Sequence, residues 1–371
     1  MQVSLKKSAF VQGMHRQQGV VDRKTTVPVL NHVLLQAKKD SGALGITGTD
    51  LELGLTEDIQ ADVQKPGALA VPAHLLYDIA RKCADDAPIE LSHDAEKNIL
   101  ILSSAGSRFQ LPILAADQYP ALPPQEDKVQ FFLTGAELGR LLDQTRFAMS
   151  QEEARFYLNG VYLHTGGHQL KMAGTDAHRL SLSWIPLPPS AEELSGVILS
   201  RKTVSELKRL IESQEGDIQL SFSNTQGVFQ AGKIKLYTRF VNGTFPQYEQ
   251  AIPRETRHTL VFQTAPFYQA LDRVSVIASQ EKSCPVKITL EKGQVVFSAQ
   301  DLVGGQSRET LKTDYKGQPF DVKFNARYVL DALNQVRGET FSLSFNDPDK
   351  PFVIKDSKDE QVLYVLMPMR G

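Results

Sequence analysis

Asp176 and His178, two positions apart in the segment TDAHR, are the first residues in the chain that could do chemistry together. A carboxylate and an imidazole at this spacing could bind a metal ion or act as an acid and a base. The corresponding segments elsewhere read Asp50-Leu51-Glu52 and Asp301-Leu302-Val303, so no second ligand set recurs. We expect Asp50 to support a turn by accepting hydrogen bonds from nearby backbone amides, and keep an enzyme that uses Asp176 and His178 as an alternative.

Other motifs of the common enzyme classes do not occur in the sequence. There is no GxSxG, HExxH or P-loop pattern, and the Gly304-Gly305 pair lacks the strand–GxGxxG–helix context of a dinucleotide site. Cys83 and Cys284 are the only cysteines, too few for a disulfide framework or a four-thiolate zinc site, and we expect both in the core. The sequence therefore predicts no catalytic residue, no metal ion and no cofactor.

The segments that would position these residues occur three times at one period. A strand-like segment that ends in an acidic turn contains Asp50, Asp176 and Asp301, at spacings of 126 and 125 residues. A short strand followed by an amphipathic helix recurs as LAVPAHLLYDIARKC, VILSRKTVSELKRLI and VKFNARYVLDALNQV, and an earlier helix recurs as SLKKSAFVQGMHRQQGVV, LTGAELGRLLDQTRFAMS and FQTAPFYQALDRVSVIAS. One period kept by three landmarks predicts a triplicated module, with three unrelated α+β stretches as the alternative.

Each repeat is predicted to contain two helices on antiparallel strands, which is an α+β arrangement. The first helix opens the repeat, alternating strands follow, and the second helix begins near Pro72, Ser200 or Asn325, residue types that suit a helix start. A hairpin and a last strand close the unit. The segments YPALPPQEDK and YEQAIPRET interrupt the pattern and predict domains of residues 1–125, 126–252 and 253–371.

The charge of the chain is nearly balanced, with 41 Lys and Arg against 43 Asp and Glu and a formal net charge of −2. A global electrostatic attraction to nucleic acid is therefore excluded, and any basic surface must be local. The predicted helices carry a net positive charge and the other segments a net negative one, which favours helices that face a polyanion. Few phosphate contacts would give a weak hold that permits sliding. The alternative is that Lys and Arg are simply favoured on helices.

Targeting and membrane segments are not expected. The first residues, MQVSLKKSAF, lack the apolar core of a secretion signal, and no apolar run approaches the roughly 18 residues of a membrane span. With 41% hydrophobic and 23% charged residues, the composition is that of soluble globular domains. We therefore expect a cytoplasmic protein without a membrane partner.

Several segments in combination are similar to one known family. They are TGTDLE, FYLNGVYL, AGTDAHRL, FVNGTFPQYE and the terminal YVLMPMRG. Together they resemble the bacterial β sliding clamps, the processivity subunits of DNA polymerase III, over essentially the whole chain. The resemblance implies three tandem copies of a DNA-clamp domain, and two chains that join head to tail as a homodimer in a closed ring of six domains. It also implies that helices line the hole and that antiparallel sheets form the outer wall.

The resemblance further implies a DNA sliding clamp without its own catalytic site. Such a ring would encircle duplex DNA without reading its sequence and would make the replicative polymerase processive. The implied partners are double-stranded DNA, a second copy of the chain, the DNA polymerase III alpha subunit, the clamp loader with its delta and other subunits, and other DNA polymerases, mismatch-repair proteins and ligases that bind through short peptide motifs. A scaffold that uses the triplication without DNA remains a third hypothesis.

A pocket for client peptides, between the second and third domains, is implied by the matched positions. They are Leu158, Thr175, His178, Arg179, Leu180, Pro246, Val365, Leu366, Met367, Pro368, Met369 and Arg370. Methionine is flexible and polarizable, so a wall of Met367, Pro368 and Met369 would accept several related apolar peptides. The chain departs from some members of the family at Gln250 and Ala251, which replace an Arg–Val pair, and at Gly371, which replaces a bulkier residue.

The resemblance also implies contacts to DNA and between the two chains. The DNA contacts would be Arg23, Lys24, Phe156, Tyr157, Arg201 and Lys202. The contact between chains would join Phe109 and Leu111, on the last strand of the first domain, to Val276 and Ile277, on the first helix of the third domain.

Overall fold

The computed structural model of the chain describes residues 1–123, 129–189, 191 and 194–369. Within these residues the chain forms six α-helices and 26 strands, and the strand pairs are antiparallel. The predicted α+β class, with helices on antiparallel sheets, is therefore confirmed. None of the helices in these ranges has the length and apolar character needed to cross a membrane.

The elements follow nearly the same order in each repeat. The first repeat contains β1 (Gln2–Lys6), α1 (Lys7–Gln17), β2 (His32–Lys38), β3 (Ala43–Thr49), β4 (Leu53–Gln60), β5 (Asp62–Lys65), β6 (Gly67–Pro72), α2 (Ala73–Lys82), β7 (Pro88–Asp94), β8 (Ile99–Ser104), β9 (Ser107–Pro112) and β10 (Leu114–Ala115). The second contains β11 (Val129–Thr134), α3 (Gly135–Arg146), β12 (Gly160–Gly166), β13 (Gln169–Thr175), β14 (Arg179–Pro186), β15 (Val197–Ser200), α4 (Arg201–Ser213), β16 (Asp217–Phe222), β17 (Gln226–Ala231) and β18 (Ile234–Arg239). The third contains β19 (His258–Gln263), α5 (Thr264–Ala278), β20 (Pro285–Glu291), β21 (Gln294–Gln300), β22 (Gln306–Lys312), β23 (Phe320–Asn325), α6 (Ala326–Leu333), β24 (Thr340–Phe345), β25 (Phe352–Asp356) and β26 (Val362–Leu366).

A strand opens each repeat, where the sequence predicted that a helix would come first. β1, β11 and β19 run directly into α1, α3 and α5. Each strand has only five or six residues, so its alternation is short beside the helical periodicity that follows it. The second helices begin where predicted. For α6, the Asn325 side chain caps the helix by accepting a hydrogen bond from the Arg327 amide at 3.1 Å.

The described chain divides into two compact units that do not coincide with the three repeats. The first unit comprises Met1–Gly135, Pro189–Ala191 and Lys202–Phe240. The second comprises Ala136–Pro188, Glu192–Arg201 and Val241–Gly371. Each unit therefore takes part of the second repeat. The domain boundaries at residues 125 and 252 remain a prediction.

The units follow the sheets, and each unit holds one sheet that crosses a boundary between repeats. The first unit contains sheets of order β5-β1-β7-β8-β9 and β10-β6-β2-β3-β4-β18-β17-β16-β11, and the second contains sheets of order β15-β12-β13-β14-β26-β25-β24-β19 and β22-β21-β20-β23. Gly54 in β4 lies opposite Tyr237 in β18, and Leu180 in β14 lies opposite Val365 in β26. Gly54 and Leu180 occupy the same position after their acidic turns. The β4–β18 and β14–β26 pairs therefore have the same register.

Apolar side chains from the helices fill the space over these sheets. In the first unit, Phe10 and Met14 of α1 pack with Leu76 of α2, and all three are fully buried. In the second, Phe267 of α5 packs edge-to-face on Phe297, with ring centroids 4.9 Å apart. Burying side chains of this size stabilises the fold by about 1.5–3 kcal/mol each. The helices are thus fixed on one face of the sheets, which leaves the acidic turns at the strand ends.

Candidate functional site

Asp176 stabilises a turn through both of its carboxylate oxygens. Its Oδ1 accepts hydrogen bonds from the amides of His178 (2.9 Å) and Arg179 (3.0 Å), and its Oδ2 accepts one from Arg179 Nε (3.1 Å). Ala177, at the tip of the turn, has a φ of 73°. The His178 side chain is exposed. The pair that could do chemistry in the sequence therefore shapes the backbone in the structure.

The turn at Asp50 is built in the same way. Asp50 Oδ1 accepts hydrogen bonds from the amides of Glu52 (2.9 Å) and Leu53 (2.6 Å), and Leu51 has a φ of 79°. The prediction that Asp50 supports a turn is confirmed. No group of three or more His, Cys, Asp or Glu side chains in the described ranges could hold a metal ion.

An apolar pocket of about 450 Å³ lies beside the Asp176 turn, within the second unit. We call it the client pocket; it is lined by Arg155, Tyr157, Leu158, Thr175, Ala177, Arg179, Leu180, Pro246, Gln247, Tyr248, Gln250, Ala251, Val365 and Met367. Leu158, Leu180 and Val365 are almost fully buried and form its floor, whereas Met367 is 39% exposed at its mouth. Such a concave, mostly apolar lining suits the side chains of an extended peptide.

Arg179 is the polar anchor of the pocket wall. Its Nη1 lies 2.5 Å from Asp331 Oδ2, and its Nη2 donates a hydrogen bond to the Phe147 carbonyl oxygen at 2.7 Å. The guanidinium also stacks on Tyr328, with its central carbon 4.3 Å from the ring centroid. Together with Asp176, these partners engage three of the five N–H donors and one face of the guanidinium, so Arg179 ties the pocket wall to its neighbours.

Tyr248, on the opposite wall, is held by an aromatic cluster. Tyr162 stacks on Phe245 at 4.9 Å and on His164 at 4.7 Å between ring centroids. The Nε2 atom of His164 lies 2.7 Å from the Tyr248 hydroxyl oxygen. Burial lowers the pKa of His164, so the ring is neutral at pH 7 and can share this hydrogen bond.

The equivalent place in the first unit is filled by the chain itself. Gly54 takes the position of Leu180, and Tyr237 takes that of Val365. The Leu122 side chain packs so closely on Gly54 that its Cδ2 atom lies 2.4 Å from where a Cβ would be. The side chains, and not the backbone, therefore decide which boundary between repeats carries an open pocket.

Seven of the residues that the resemblance implied line the client pocket, and His178 and Leu366 are not among its lining residues. The carbonyl oxygen of His178 accepts a hydrogen bond from the Met367 amide at 2.9 Å. Leu366 packs into the core of the third repeat, because successive side chains of β26 alternate between the two faces and Val365 points to the pocket. The expected position of Leu366 is therefore wrong, and a role for the exposed His178 side chain stays a prediction.

The expected wall of Met367, Pro368 and Met369 is not formed. The Met369 amide donates a hydrogen bond to the Lys323 carbonyl oxygen at 2.8 Å, and Met369 lines a separate cleft. Pro368 lies between them and is not among the lining residues of either space in the described chain. Arg370 and Gly371 lie outside the described residues. Of the described residues Met367, Pro368 and Met369, only Met367 lines the client pocket.

Sequence reasoning missed part of the lining, namely Arg155, Ala177, Gln247 and Tyr248. Their nearness in sequence to Leu158, Arg179 and Pro246 was the available signal. Tyr157, expected as a DNA contact, also lines the pocket. Gln250 and Ala251, where the chain departs from some members of the family, stand in the lining as well.

Lys202 is already bound to two carboxylates in the first unit. Its Nζ lies 2.5 Å from Asp50 Oδ2 and 3.1 Å from Asp22 Oδ1. Burial disfavours the ammonium charge, but these carboxylates outweigh burial and raise the pKa of Lys202. In the structure Lys202 therefore fastens the exposed loop that carries Arg23 and Lys24, and its expected contact with DNA stays a prediction.

The residues of the second unit that were expected to contact DNA differ in their exposure to solvent. Phe156 is 53% exposed and packs edge-to-face on Tyr157, with ring centroids 5.8 Å apart. Arg201 is exposed, but its Nη2 donates a hydrogen bond to the Ser150 carbonyl oxygen at 2.6 Å. Phe156 therefore offers an open aromatic surface, whereas Arg201 also ties down its own chain.

The residues implied for the contact between chains differ as well. Phe109 on β9 is 37% exposed and Val276 on α5 is 63% exposed, so both can meet another chain. Ile277 packs, half-buried, against the core of the second unit. Leu111 is 1% exposed in the core of the first unit, which corrects the expectation that its side chain reaches a partner.

Three family models match consecutive parts of the chain. They describe the N-terminal, central and C-terminal domains of the DNA polymerase III beta subunit and match residues 1–123, 132–247 and 249–370. Among related proteins, the beta sliding clamp of Caulobacter vibrioides is 37% identical and that of Escherichia coli K12 is 29% identical, each over 100% of both chains. The sequence is thus similar to clamp subunits from end to end.

Solved structures agree with this similarity. A beta sliding clamp from Caulobacter crescentus matches with a TM-score of 0.96 at 37% identity. A sliding clamp from Bartonella birtlesii, bound to griselimycin, matches with a TM-score of 0.96 at 36% identity. Both comparisons cover 100% of each chain.

The buried His164 predicts a pH dependence of stability. Because its folded pKa lies below the usual 6.5, its contribution is complete above pH 6.5 and is lost as the pH falls through the folded pKa. Between about pH 7.5 and pH 5.5, we expect the thermal unfolding midpoint to fall more steeply in the wild type than in His164→Gln, which cannot ionise. Equal slopes in differential scanning fluorimetry would contradict this assignment.

Proposed function

The chain belongs to the DNA polymerase III beta subunit family, the beta sliding clamps, and we propose that it acts as a clamp on double-stranded DNA. Two copies would close into a ring around the duplex and tether the replicative DNA polymerase to it. A tethered polymerase that releases the primer end rebinds within the same complex at high effective concentration, so synthesis becomes processive. The chain itself would supply no catalytic step.

The observation that carries the proposal is a pair of open sheet edges. In the described residues, β9 and β22 each end a sheet. An edge strand presents a row of unpaired N–H and C=O groups to any strand that approaches it. β4 and β14 are the strands equivalent to β22. They pair with β18 and β26, respectively, of the following repeat. Pairing of β22 with β9 of a second copy would complete the series head to tail, and such contacts can close into a ring.

The two internal pairings predict the register of this contact. Gln306 occupies in β22 the position that Gly54 and Leu180 occupy in β4 and β14, opposite the last residue before the acidic turn. Tyr237 and Val365 lie opposite Gly54 and Leu180. Gln110 occupies the equivalent position in β9. We therefore infer that Gln306 of one copy faces Gln110 of the other. Exposed Phe109 and Val276 would pack beside this strand pair.

We propose that topology, more than affinity, keeps such a ring on DNA. The chain has a net charge of −2, and Lys202 is bound to carboxylates, so Arg23 and Lys24 stand out as exposed cations in their loop. A small number of phosphate contacts gives a weak, salt-sensitive hold that lets a ring slide. Opening and placing the ring would fall to a clamp loader that hydrolyses ATP.

We propose that the client pocket takes short apolar peptide motifs. The clients would be the DNA polymerase III alpha subunit, the clamp loader, other DNA polymerases, and mismatch-repair or ligase proteins. The buried floor of Leu158, Leu180 and Val365 supports an apolar ligand, and the exposed, flexible Met367 supports adaptation to several related peptides. One such pocket in each chain would let two clients share a ring.

Retention on DNA tests the clamp. After loading onto a nicked circular plasmid, the protein should stay bound through gel filtration, and cutting the circle should shorten its residence about tenfold or more, because a sliding ring leaves at an end. Equal retention on circular and linear DNA would contradict a topological hold. A dimer with no retention on either DNA would favour the scaffold hypothesis.

A pair of cysteines tests the register of the ring contact. Gln110→Cys with Gln306→Cys should give a covalent dimer on mild oxidation, because opposite residues of antiparallel strands have Cα atoms about 4.5–5.5 Å apart, within reach of a disulfide. Gln110→Cys with Arg308→Cys is the matched control, two residues out of register, and should remain a monomer on a denaturing gel. Cross-linking of the control pair alone would refute the register. The native Cys83 and Cys284 are buried.

Two methionine substitutions test the limits of the client pocket. Met367→Ser should weaken binding of an apolar client peptide about tenfold, since it removes an apolar contact at the mouth. Met369→Ser should leave binding unchanged, because Met369 lines a different space. Isothermal titration of both variants with one peptide measures this. Equal loss of peptide affinity in both variants would contradict this limit and support the expected wall of Met367, Pro368 and Met369.

A further inference from the structure

The third repeat contains a cleft at the place that corresponds to the client pocket. This third-repeat cleft, defined by Lys287, Ser298, Arg308, Lys323 and Met369, has a volume of about 710 Å³ and lies within the second unit. The function proposed above assigns no ligand to it, although Gln306, at the proposed contact between copies, also borders it. Its position and its charge together suggest a ligand.

Backbone hydrogen bonds establish the correspondence between the two spaces. The Met369 amide donates to the Lys323 carbonyl oxygen at 2.8 Å. The Val241 amide, which follows the second repeat's last strand, donates to the Ile198 carbonyl oxygen at 3.0 Å in the same way. Ile198 packs in the cluster that carries the client pocket. The segment after the last strand therefore crosses the same strand in both repeats.

The strand registers show which side chains have changed. Across β23, β20, β21 and β22, one row of opposed residues reads Lys323, Lys287, Ser298 and Arg308. The corresponding row of the second repeat reads Ile198, Tyr162, Ala173 and Leu182. An apolar row in one repeat is therefore a cationic row in the other, on the same backbone framework.

The cations of this row are only partly neutralised. Arg308 and Lys323 are exposed, and neither forms an ion pair within the described part of the chain. Lys287 Nζ lies 2.6 Å from Asp321 Oδ2, and Glu281 also borders the cleft, so part of the charge is offset. Lys287 and Lys323 nevertheless lie directly opposite each other in an antiparallel strand pair. Like charges at such positions repel each other and destabilise the pairing of the strands. A negatively charged ligand would relieve this repulsion.

The cleft lies on the face of its sheet away from helix α5. Val286 and Ile288, the neighbours of Lys287 in β20, point to the buried core beneath α5, so Lys287 points to the opposite face. In the proposed clamp the helices face the duplex. The cleft would therefore face away from the encircled DNA, which favours a protein ligand.

We propose that the third-repeat cleft binds an acidic peptide segment of a partner protein, with carboxylates paired to Arg308 and Lys323. Guanidinium and ammonium groups form short, charge-assisted hydrogen bonds with carboxylates. The choice of a peptide rests on the proposed peptide binding by the client pocket, whose strand framework the cleft shares. The two spaces would thus select apolar and acidic segments, respectively.

Binding of a labelled peptide to the full-length chain tests the proposal. The probe is a fluorescent octapeptide of alternating glutamate and glycine, and its glutamine counterpart is the control. We expect saturable binding of the acidic peptide alone at low salt, weakened about tenfold by Arg308→Gln with Lys323→Gln. Lys292→Gln with Lys350→Gln removes the same charge from exposed positions outside the cleft and should change binding less than about twofold.

Four outcomes would overturn the proposal: no saturable binding by the wild type, equal binding of the glutamine peptide, equal weakening in both double variants, or a single-stranded oligonucleotide that displaces the probe from the cleft. Apolar client-peptide binding, measured on the same variants, separates this proposal from the clamp function. Loss of acidic binding in Arg308→Gln with Lys323→Gln, with client binding intact, supports the cleft. If the wild type binds the apolar client peptide but not the acidic peptide, the proposal for the cleft is overturned and the clamp function is unaffected.

Discussion

The architecture depends on how one sheet edge is paired, namely the edge formed by β4, β14 and β22, the equivalent strands of the three repeats. β4 finds β18 and β14 finds β26, each in the following repeat and each in the same register. The described residues provide no such neighbour for β22 or β9. A second copy can supply both at once. The ring, the location of its joints and the likeness of the spaces beside those joints all follow from this one pattern of strand pairing.

One backbone framework carries three different surfaces because the side chains at equivalent positions differ. In the first repeat Leu122 closes the space over Gly54. In the second, Leu180 forms the floor of an open apolar pocket, and in the third, Gln306 borders an open cationic cleft. A triplicated protein can thus keep its assembly geometry while each copy acquires its own ligand. The comparison within a single chain is informative because the fold is held constant.

The sequence predicted the repeats, the second helices and the Asp50 turn, since periodicity and short-range hydrogen bonding decide these features locally. It did not predict long-range partners. Lys202 was expected only as a DNA contact, and its carboxylate partners stand 180 and 152 positions away in the sequence. Met369 leaves the client pocket because of a backbone hydrogen bond to Lys323, which the letters MPMR do not encode. Leu111 was expected at a chain contact, but the packing of its own sheet buries it.

Hydrogen exchange at the amides of β9 and β22 is the most direct measurement of this dependence on strand pairing. Unpaired edge amides exchange freely, whereas amides in an intermolecular ladder are protected. We predict that the amides of Ser107–Pro112 and Gln306–Lys312 that point away from β8 and β21 gain protection together as protein concentration rises and lose it together on dilution. Amides in both strands that exchange at unfolded-chain rates in a stable dimer would contradict it.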